Sequence, residues 1–477
     1  MAGLNPGVRP TGFQCCTPGR AEDHPGMSKS NPHLKPIILL NPGRQSRHYM
    51  LGLLRACETL GLHPGSIEMG PMIAQLARAP DPLAALEPIQ ARLRVMVEAG
   101  NFTDIITYAN AGGAELGKWN TPQGVGTIWN ALGLRHHILW TDHPDWATNG
   151  TALKPGVQKI YAHPHIFHHL KSAPAALEAA AILGWSGVTD LPVAEDYDTL
   201  RPQTGVEQRH DIVAILGSVA PVPEALVPFL DKTDPEPARL DHAMIPRTLK
   251  AWTRFAADMP NPDGLMRFAR SMLELHAEQP GMTFWQHAEM LKSEYASEID
   301  WLQSDPQRWY AAVGRLRLQS AWRRSFWLAW LARRVDLGIY GCDASILGID
   351  QPKDARQWVE YKDQSRVYAC GRCALNINQS HDEAGVTHKP FQIVASGVPL
   401  IHHATPGLGN LFRHGSEVLV FARGPELLHR IDGVCMVNTR GSILAKAALT
   451  RAKNEHAWTN RVQTMLSLDQ ISALAAA

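Results

Sequence analysis

"LNINQSHDEAGVTHKPFQIVASGVPLI", Leu375 to Ile401, reads as an apolar strand, a polar loop, a helix and a second apolar strand. The helix begins near Lys389-Pro390, with proline in its first turn, where the missing N–H costs nothing. It ends at Ala395-Ser396-Gly397, small residues that permit close packing and a turn into the next strand. Joined by a helix, the two strands run parallel. The helix N-terminus then presents free N–H groups and the positive end of its dipole beyond the first strand, which is an anion site. Thr387, His388 and Lys389 surround that first turn, and Gln392 lies one turn further in, placed to hydrogen-bond sugar hydroxyls. A diphosphate suits this arrangement; an ordinary capped helix with a surface lysine fits the spacing equally well.

The same alternation extends outward. "KPIILLNPG" (Lys35 to Gly43), "TDIITYANAGG" (Thr103 to Gly113) and "HHILWTDHPDW" (His136 to Trp146) read as buried strands with small or turn residues at their carboxyl ends. "RHYMLGLLRACETLG" (Arg47 to Gly61) is an amphipathic helix closed by glycine. "HDIVAILGSVAP" (His210 to Pro221) opens a new sheet, and "VDLGIYGC", "ALNINQS", "VPLIHHA" and "EVLVFA" continue it. A final helix is expected from about Gly441 to Leu468. Between the two halves, Asp241 to Arg334 is almost wholly helical, with Trp285, Trp301, Trp309, Trp322, Trp327 and Trp330 at helical spacing. That pattern is core packing rather than a stacking surface.

The expected architecture is therefore α/β: two Rossmann-like doubly wound domains facing a cleft, with a helical insertion. Residues 1–34 read as a disordered leader, 35–205 as the first domain, 206–240 and 335–470 as the second, and 241–334 as the insertion. In such sheets ligands bind beyond the carboxyl ends of the strands. That rule selects the loops Asn41 to Arg47, Asn110 to Glu115 and Asp142 to Trp146 in the first domain, and Gly217-Ser218 in the second.

Composition excludes several classes. Lys plus Arg number 46 against 45 Asp plus Glu, which gives no electrostatic case for nucleic acid or an acidic membrane. No apolar run is long enough to span a bilayer. The seven cysteines are odd in number and irregularly spaced, and fit a reducing cytoplasm. Cys370-Gly-Arg-Cys373 lacks the second pair of a zinc site and reads as two half-buried thiols. His163-Pro-His165 and His168-His169 have no carboxylate at metal-ligand spacing and read as surface and helix residues.

Resemblance adds to this. The opening stretch, "LGNLFRHGSEVLVFARGPELL" and "NEHAWTNRVQTML" together resemble the carboxyl-terminal domain of the spore-maturation-protein (CgeB-like) glycosyltransferases. "LPVAEDYDTLRP" (Leu191 to Pro202) is similar to that family's interdomain segment. The resemblance implies a GT-B glycosyltransferase that binds a nucleotide-diphosphate sugar between its domains and passes the sugar to a hydroxyl of a glycan or protein. It implies no cofactor and no metal. Thr387 falls on the family threonine and Lys389 on its arginine. Gln392 falls where the family carries a glutamate that holds the donor ribose. Retaining enzymes of this fold carry two glutamates separated by seven residues; Glu383 and Gln392 depart in spacing and in the second residue.

The chemistry then asks for two sets of groups. Donor binding is expected from Thr387, Lys389, Gly385, Glu383 and Gln392 with the Gly217-Ser218 loop, and from Gly43, Arg44 and Arg47 in the first domain; Lys389, the helix N–H groups, the Gly217-Ser218 loop and the two arginines are the groups expected to stabilise the leaving diphosphate. Deprotonation of the acceptor is expected from His143 with Asp142, with His48 as runner-up and Glu115 after it. Two alternatives remain: a GT-B scaffold that binds a nucleotide or glycan without turnover, and a GT-B-type sugar epimerase that uses Glu115 and Glu383.

Overall fold

The computed structural model describes residues 34–109, 116–378 and 384–467. Glu383, Glu115 and the rest of the Asn110–Glu115 loop, and the leader up to residue 33, lie outside the described residues. Thirteen strands appear among those described. They are β1 (Pro36–Leu40), β2 (Gly65–Glu68), β3 (Asp104–Tyr108), β4 (Trp119–Thr121), β5 (Gly124–Gly126), β6 (Arg135–Trp140), β7 (Ile166–Leu170), β8 (Val188–Asp190), β9 (His210–Ile215), β10 (Leu337–Tyr340), β11 (Gly371–Asn376), β12 (Leu400–His403) and β13 (Leu419–Phe421).

Two all-parallel sheets result. The first has the order β2-β1-β3-β6-β7-β8 and the second β10-β9-β11-β12-β13. Ile37 of β1 pairs with Gly65 on one side and Ile105 on the other; Ile212 of β9 pairs with Leu337 and Cys373. All five residues of β1 are buried, as a central parallel strand covered on both faces requires. The order in which strands are added reverses between β1 and β3 in the first sheet and between β9 and β11 in the second. Both crevices open at carboxyl strand ends. β4 and β5 form a small antiparallel hairpin beside the first sheet.

The insertion is five helices: Pro237–Ala256, Pro262–Glu278, Phe284–Leu291, Ala296–Gln303 and Pro306–Ala332. Trp252, Trp309, Trp327 and Trp330 are fully buried. The first two join Trp140 and Trp185 of the first domain in one core cluster; the last two pack under the second sheet. The tryptophans are thus mortar between insertion and domains.

Three local expectations differ. His168 and His169 lie in β7, not in a helix, and are buried with His163. His168 accepts from Trp140 Nε1 at 3.0 Å, and His137 Nε2 meets Asp104 Oδ1 at 3.0 Å. Such pairing makes buried imidazoles tolerable inside a sheet. Both Cys370 and Cys373 are fully buried rather than half-buried. The terminal helix is two, Asn438–Glu455 and Trp458–Met465. The break falls at His456, whose Nε2 lies 2.8 Å from the carbonyl of Leu411.

The second of these helices returns to the first domain. Trp458 lies over Gly52 of the helix Arg44–Thr59, where a Cβ would come within 2.5 Å of the indole. Arg461 Nη2 donates to the Val193 carbonyl at 3.3 Å. The linker is held as closely: Gly397 takes φ +70°, and a Cβ there would meet Pro202 at 2.7 Å. Gly52→Ala is expected to cost about 1–3 kcal/mol by overpacking, and to cost far less in a Trp458→Ala background. Chemical denaturation of the four proteins of this cycle measures the coupling.

Candidate functional site

Residues from both crevices meet in one cavity of about 160 Å³. Gln45 and Tyr49 come from the helix after β1, Tyr108 from the end of β3, and Thr141 and Asp142 from the turn after β6. The second domain supplies Gly217 after β9, Asn376 and Ile377 at the end of β11, and Thr387, His388 and Lys389 at the start of the helix His388–Ala395. Arg324 reaches in from the last insertion helix.

The floor is an interdomain contact. Tyr49 and His388 stack with ring centroids 3.6 Å apart and planes 4° from parallel. Gln392 Nε2 donates to the Tyr49 hydroxyl at 3.1 Å, and Gln45 also donates to it. Burial, chiefly, lowers the His388 imidazole to about 3, so the ring is neutral in this stack.

Charge gathers on one wall. Thr387 caps the helix His388–Ala395, its hydroxyl accepting from the Lys389 N–H at 3.3 Å. Burial first, and then the adjacent Arg324 guanidinium, lower the Lys389 ammonium to about 8; Glu195 opposes them. Burial likewise lowers Arg324 to about 10, and its Nε has no hydrogen-bond partner. Two desolvated cations and a helix N-terminus around one void form a strong anion site. A side chain at Gly217 would meet nothing within 4 Å, so backbone there is open to a ligand.

On the opposite wall stands Asp142, with 38% of its side chain exposed and Lys171 Nζ 4.0 Å away. Lys171 donates to the Thr141 carbonyl at 2.8 Å. Burial lowers its ammonium to about 8, with Asp142 opposing.

Of the residues singled out in the sequence, Thr387, Lys389, Gly217 and Asp142 meet at this cavity. Ser218 is an exposed neighbour of Gly217. Gly385 lies behind it, where a Cβ would press on Lys171 at 3.2 Å. Gly43 precedes the helix Arg44–Thr59 as its N-cap. Arg44 pairs instead with Glu360 at 2.9 Å, and Arg47 makes a two-pronged pair with Glu68. Both guanidiniums are engaged on the surface and neither lines the cavity. His48 stacks on Tyr361 at 4.5 Å and is lowered mainly by burial.

His143 is turned away from the cleft. It occupies the N-cap position of the short helix Pro144–Ala147, and its ring is buried. Nδ1 lies 3.0 Å from Asp145 Oδ1 and Nε2 3.8 Å from Glu178 Oε2. Arg317 donates to the other Asp145 oxygen at 2.8 Å, and Trp309 Nε1 donates to Glu178 at 2.9 Å. The histidine thus joins a buried polar network that docks the insertion onto the first domain.

Gln392 is fully buried and makes no part of the cavity wall. Besides Tyr49 it contacts Glu195, whose carboxyl burial raises to about 7 against hydrogen bonds from Tyr361, the Asp196 N–H and Gln392. A neutral amide is what this place tolerates. A glutamate would set a second carboxyl beside a buried one.

Sequence reading missed Arg324, Tyr49, Gln45, Glu195 and Lys171. Arg324 sat in a run read as helical packing. A signal was present: Arg323-Arg324 interrupts the apolar face between Trp322 and Phe326.

Gln392→Glu is expected to lower stability, by an amount that grows as pH rises from about 4.5 through 7. The added carboxyl, like Glu195, stays protonated in the fold above its unfolded pKa, so the folded form binds more protons and is penalised as pH rises. Thermal unfolding at pH 5 and pH 8 reads the difference; equal losses at both would contradict it.

Residues 323–467 match a family model described as glycosyl transferase-like. No curated protein matches the chain. Among solved structures the chain is similar to a glycosyltransferase from Rickettsia africae ESF-5, at 8% identity and TM-score 0.42 over 92% of this chain and 98% of that one. It is similar to Anabaena HepE in complex with UDP-glucose, at 12% and 0.41 over 92% and 100%. It is also similar to sucrose-phosphate synthase from Thermosynechococcus elongatus, at 10% and 0.44 over 93% and 100%. Arg324, Thr387 and Lys389 all fall within the segment that matches the glycosyl transferase-like model.

Proposed function

We propose that the chain is a GT-B glycosyltransferase, of the CgeB-like type, that moves a sugar from a nucleotide-diphosphate donor to a hydroxyl of a glycan. The observation that carries this is the pair of desolvated cations, Lys389 and Arg324, at the N-terminus of the helix His388–Ala395 within an interdomain cavity. The family match over the same residues supports it.

Transfer breaks the bond from the anomeric carbon to the diphosphate oxygen and forms one to the acceptor oxygen. The departing diphosphate gains negative charge, and Lys389, Arg324 and the helix N–H groups are placed to meet it. Lysine contributes a point charge; the forked contact of a guanidinium falls to Arg324. In this reading these groups act without a metal. Asp142, on the facing wall, takes the acceptor proton, and Lys171 beside it favours the ionised carboxylate.

The reading takes the protein to be cytoplasmic, as the odd number and irregular spacing of its seven cysteines suggest. A catalytically silent scaffold or an epimerase with the same fold would show as donor binding without transfer.

Isothermal calorimetry with a panel of nucleoside diphosphates is the direct test. Lys389→Ala and Arg324→Ala should each weaken the preferred nucleotide about ten- to hundredfold. Affinity in the wild type should fall as pH rises through about 8, where Lys389 loses its proton, and binding there should take up protons. Unchanged affinity in both variants would overturn the assignment. Asp142→Asn should lower turnover by about 10²–10⁴-fold while leaving nucleotide affinity within about threefold, as loss of a general base does.

A further inference from the structure

Asn376, at the end of β11, lines the donor cavity and is only 7% exposed. Two neighbours behind it decide which way its amide lies. His402 of β12 is fully buried, and burial lowers its imidazole to about 4, so the ring is neutral. Its Nδ1 faces the His403 carbonyl, which can only accept, so Nδ1 carries the proton and Nε2 a lone pair. Nε2 lies 2.9 Å from Asn376 Nδ2, which therefore donates to it. Asn378 imposes the same orientation. Its Nδ2 donates to the Gly385 carbonyl at 2.9 Å, which turns its Oδ1 to accept from Asn376 Nδ2 at 3.2 Å.

The amide nitrogen of Asn376 is thus engaged inside the second domain. Its Oδ1, which has no hydrogen-bond partner among the described residues, is left to the cavity. That acceptor is out of keeping with the wall around it. Lys389 and Arg324 can only donate, and the Thr387 oxygen already accepts from the Lys389 N–H. An ionised diphosphate carries acceptors alone. It satisfies the two cations but leaves Oδ1 unpaired beside further negative oxygen.

A ligand that satisfies the whole wall carries a neutral proton donor next to its anionic group. A nucleotide sugar has hydroxyls on either side of its diphosphate, on the transferred sugar and on the ribose. Gln392, whose aligned position suggested a hydroxyl contact, is sealed from the cavity, so that contact falls to another side chain. We infer that Asn376 is a specificity-determining residue whose Oδ1 accepts a hydrogen bond from a donor hydroxyl adjoining the diphosphate, and that His402 is the positioning residue that holds the amide that way round. The inference rests on the glycosyltransferase reading for the identity of the donor.

The test is calorimetry on the full chain with UDP-glucose, GDP-mannose and ADP-glucose, and with inorganic pyrophosphate as the control that carries acceptors alone. Asn376→Ala should weaken the tightest-bound nucleotide sugar by about tenfold and leave pyrophosphate within about twofold. That nucleotide sugar is then compared with its singly deoxygenated analogues, one for each hydroxyl of the sugar and of the ribose. One deletion should cost about tenfold in the wild type and less than about twofold in Asn376→Ala, a coupling that a purely structural role would not produce. The ring that bears this hydroxyl tells transferred sugar from ribose. His402→Phe keeps a buried ring but removes the acceptor that turns the amide, so it should reduce the coupling to less than about threefold with pyrophosphate affinity unchanged. Three outcomes overturn the inference: no hydroxyl is coupled to Asn376, Asn376→Ala weakens pyrophosphate as much as the nucleotide sugar, or pyrophosphate binds and none of the nucleotide sugars does. Full coupling in His402→Phe would overturn the positioning role. Failure of the wild type to bind nucleotide sugars and pyrophosphate alike would instead sink the donor reading itself.

Discussion

The stack of Tyr49 on His388 is the contact on which the rest of the cleft depends. One ring comes from the helix after β1 and the other from the first turn of the helix after β11, so a single aromatic pair fixes the distance between two crevices. A neutral imidazole suits it: burial keeps the proton off, and the ring packs flat without bringing a third cation beside Lys389 and Arg324. Gln392 and Gln45 then hold the tyrosine hydroxyl from either side of the interface. Around this point the hydrophobic core runs continuously from Ile38 and Leu53 in the first domain to Ile215, Phe391 and Val394 in the second.

A site with two poorly solvated cations is costly to the unliganded fold. That cost is offset elsewhere, because Arg324 stands on a helix whose neighbouring Arg323 is neutralised by a two-pronged pair with Asp241 at 3.0 and 2.6 Å. The insertion is therefore more than a spacer. It delivers one charged residue to the cavity while anchoring itself with the next, and its Tyr310 side reaches the first domain through the His143, Asp145 and Arg317 network.

Much of the fold was legible because its central strands are apolar along their whole length, as in "PIILL" and "DIVAI". β2 was not: "GSIE" buries one side chain of four, and it forms only because β1 offers an edge to pair with. The anion site was half legible. Thr387 and Lys389 announce a capped helix start, and Gly217 a strand end. Arg324 could not be placed, because its role follows from where a distant helix docks. His143 was misplaced for a related reason. Position at a strand's carboxyl end says which crevice a turn borders but not which side of the turn each residue takes, and the insertion covered that side. For Gln392, aligned position suggested a ribose contact, whereas the structure turns the amide toward Tyr49 and Glu195.

The return of the helix Trp458–Met465 to the first domain has a consequence for biogenesis. Gly52 and its helix emerge early from the ribosome, yet the indole that covers them is synthesised almost at the far end of the described chain. Until then the first domain carries an uncovered apolar stripe while the insertion and second sheet are still being made. Such exposure invites non-native association during synthesis, and contacts this distant in sequence close slowly. The nascent first domain is thus a natural client for chaperone holding, and its native surface is complete only after translation has passed Trp458.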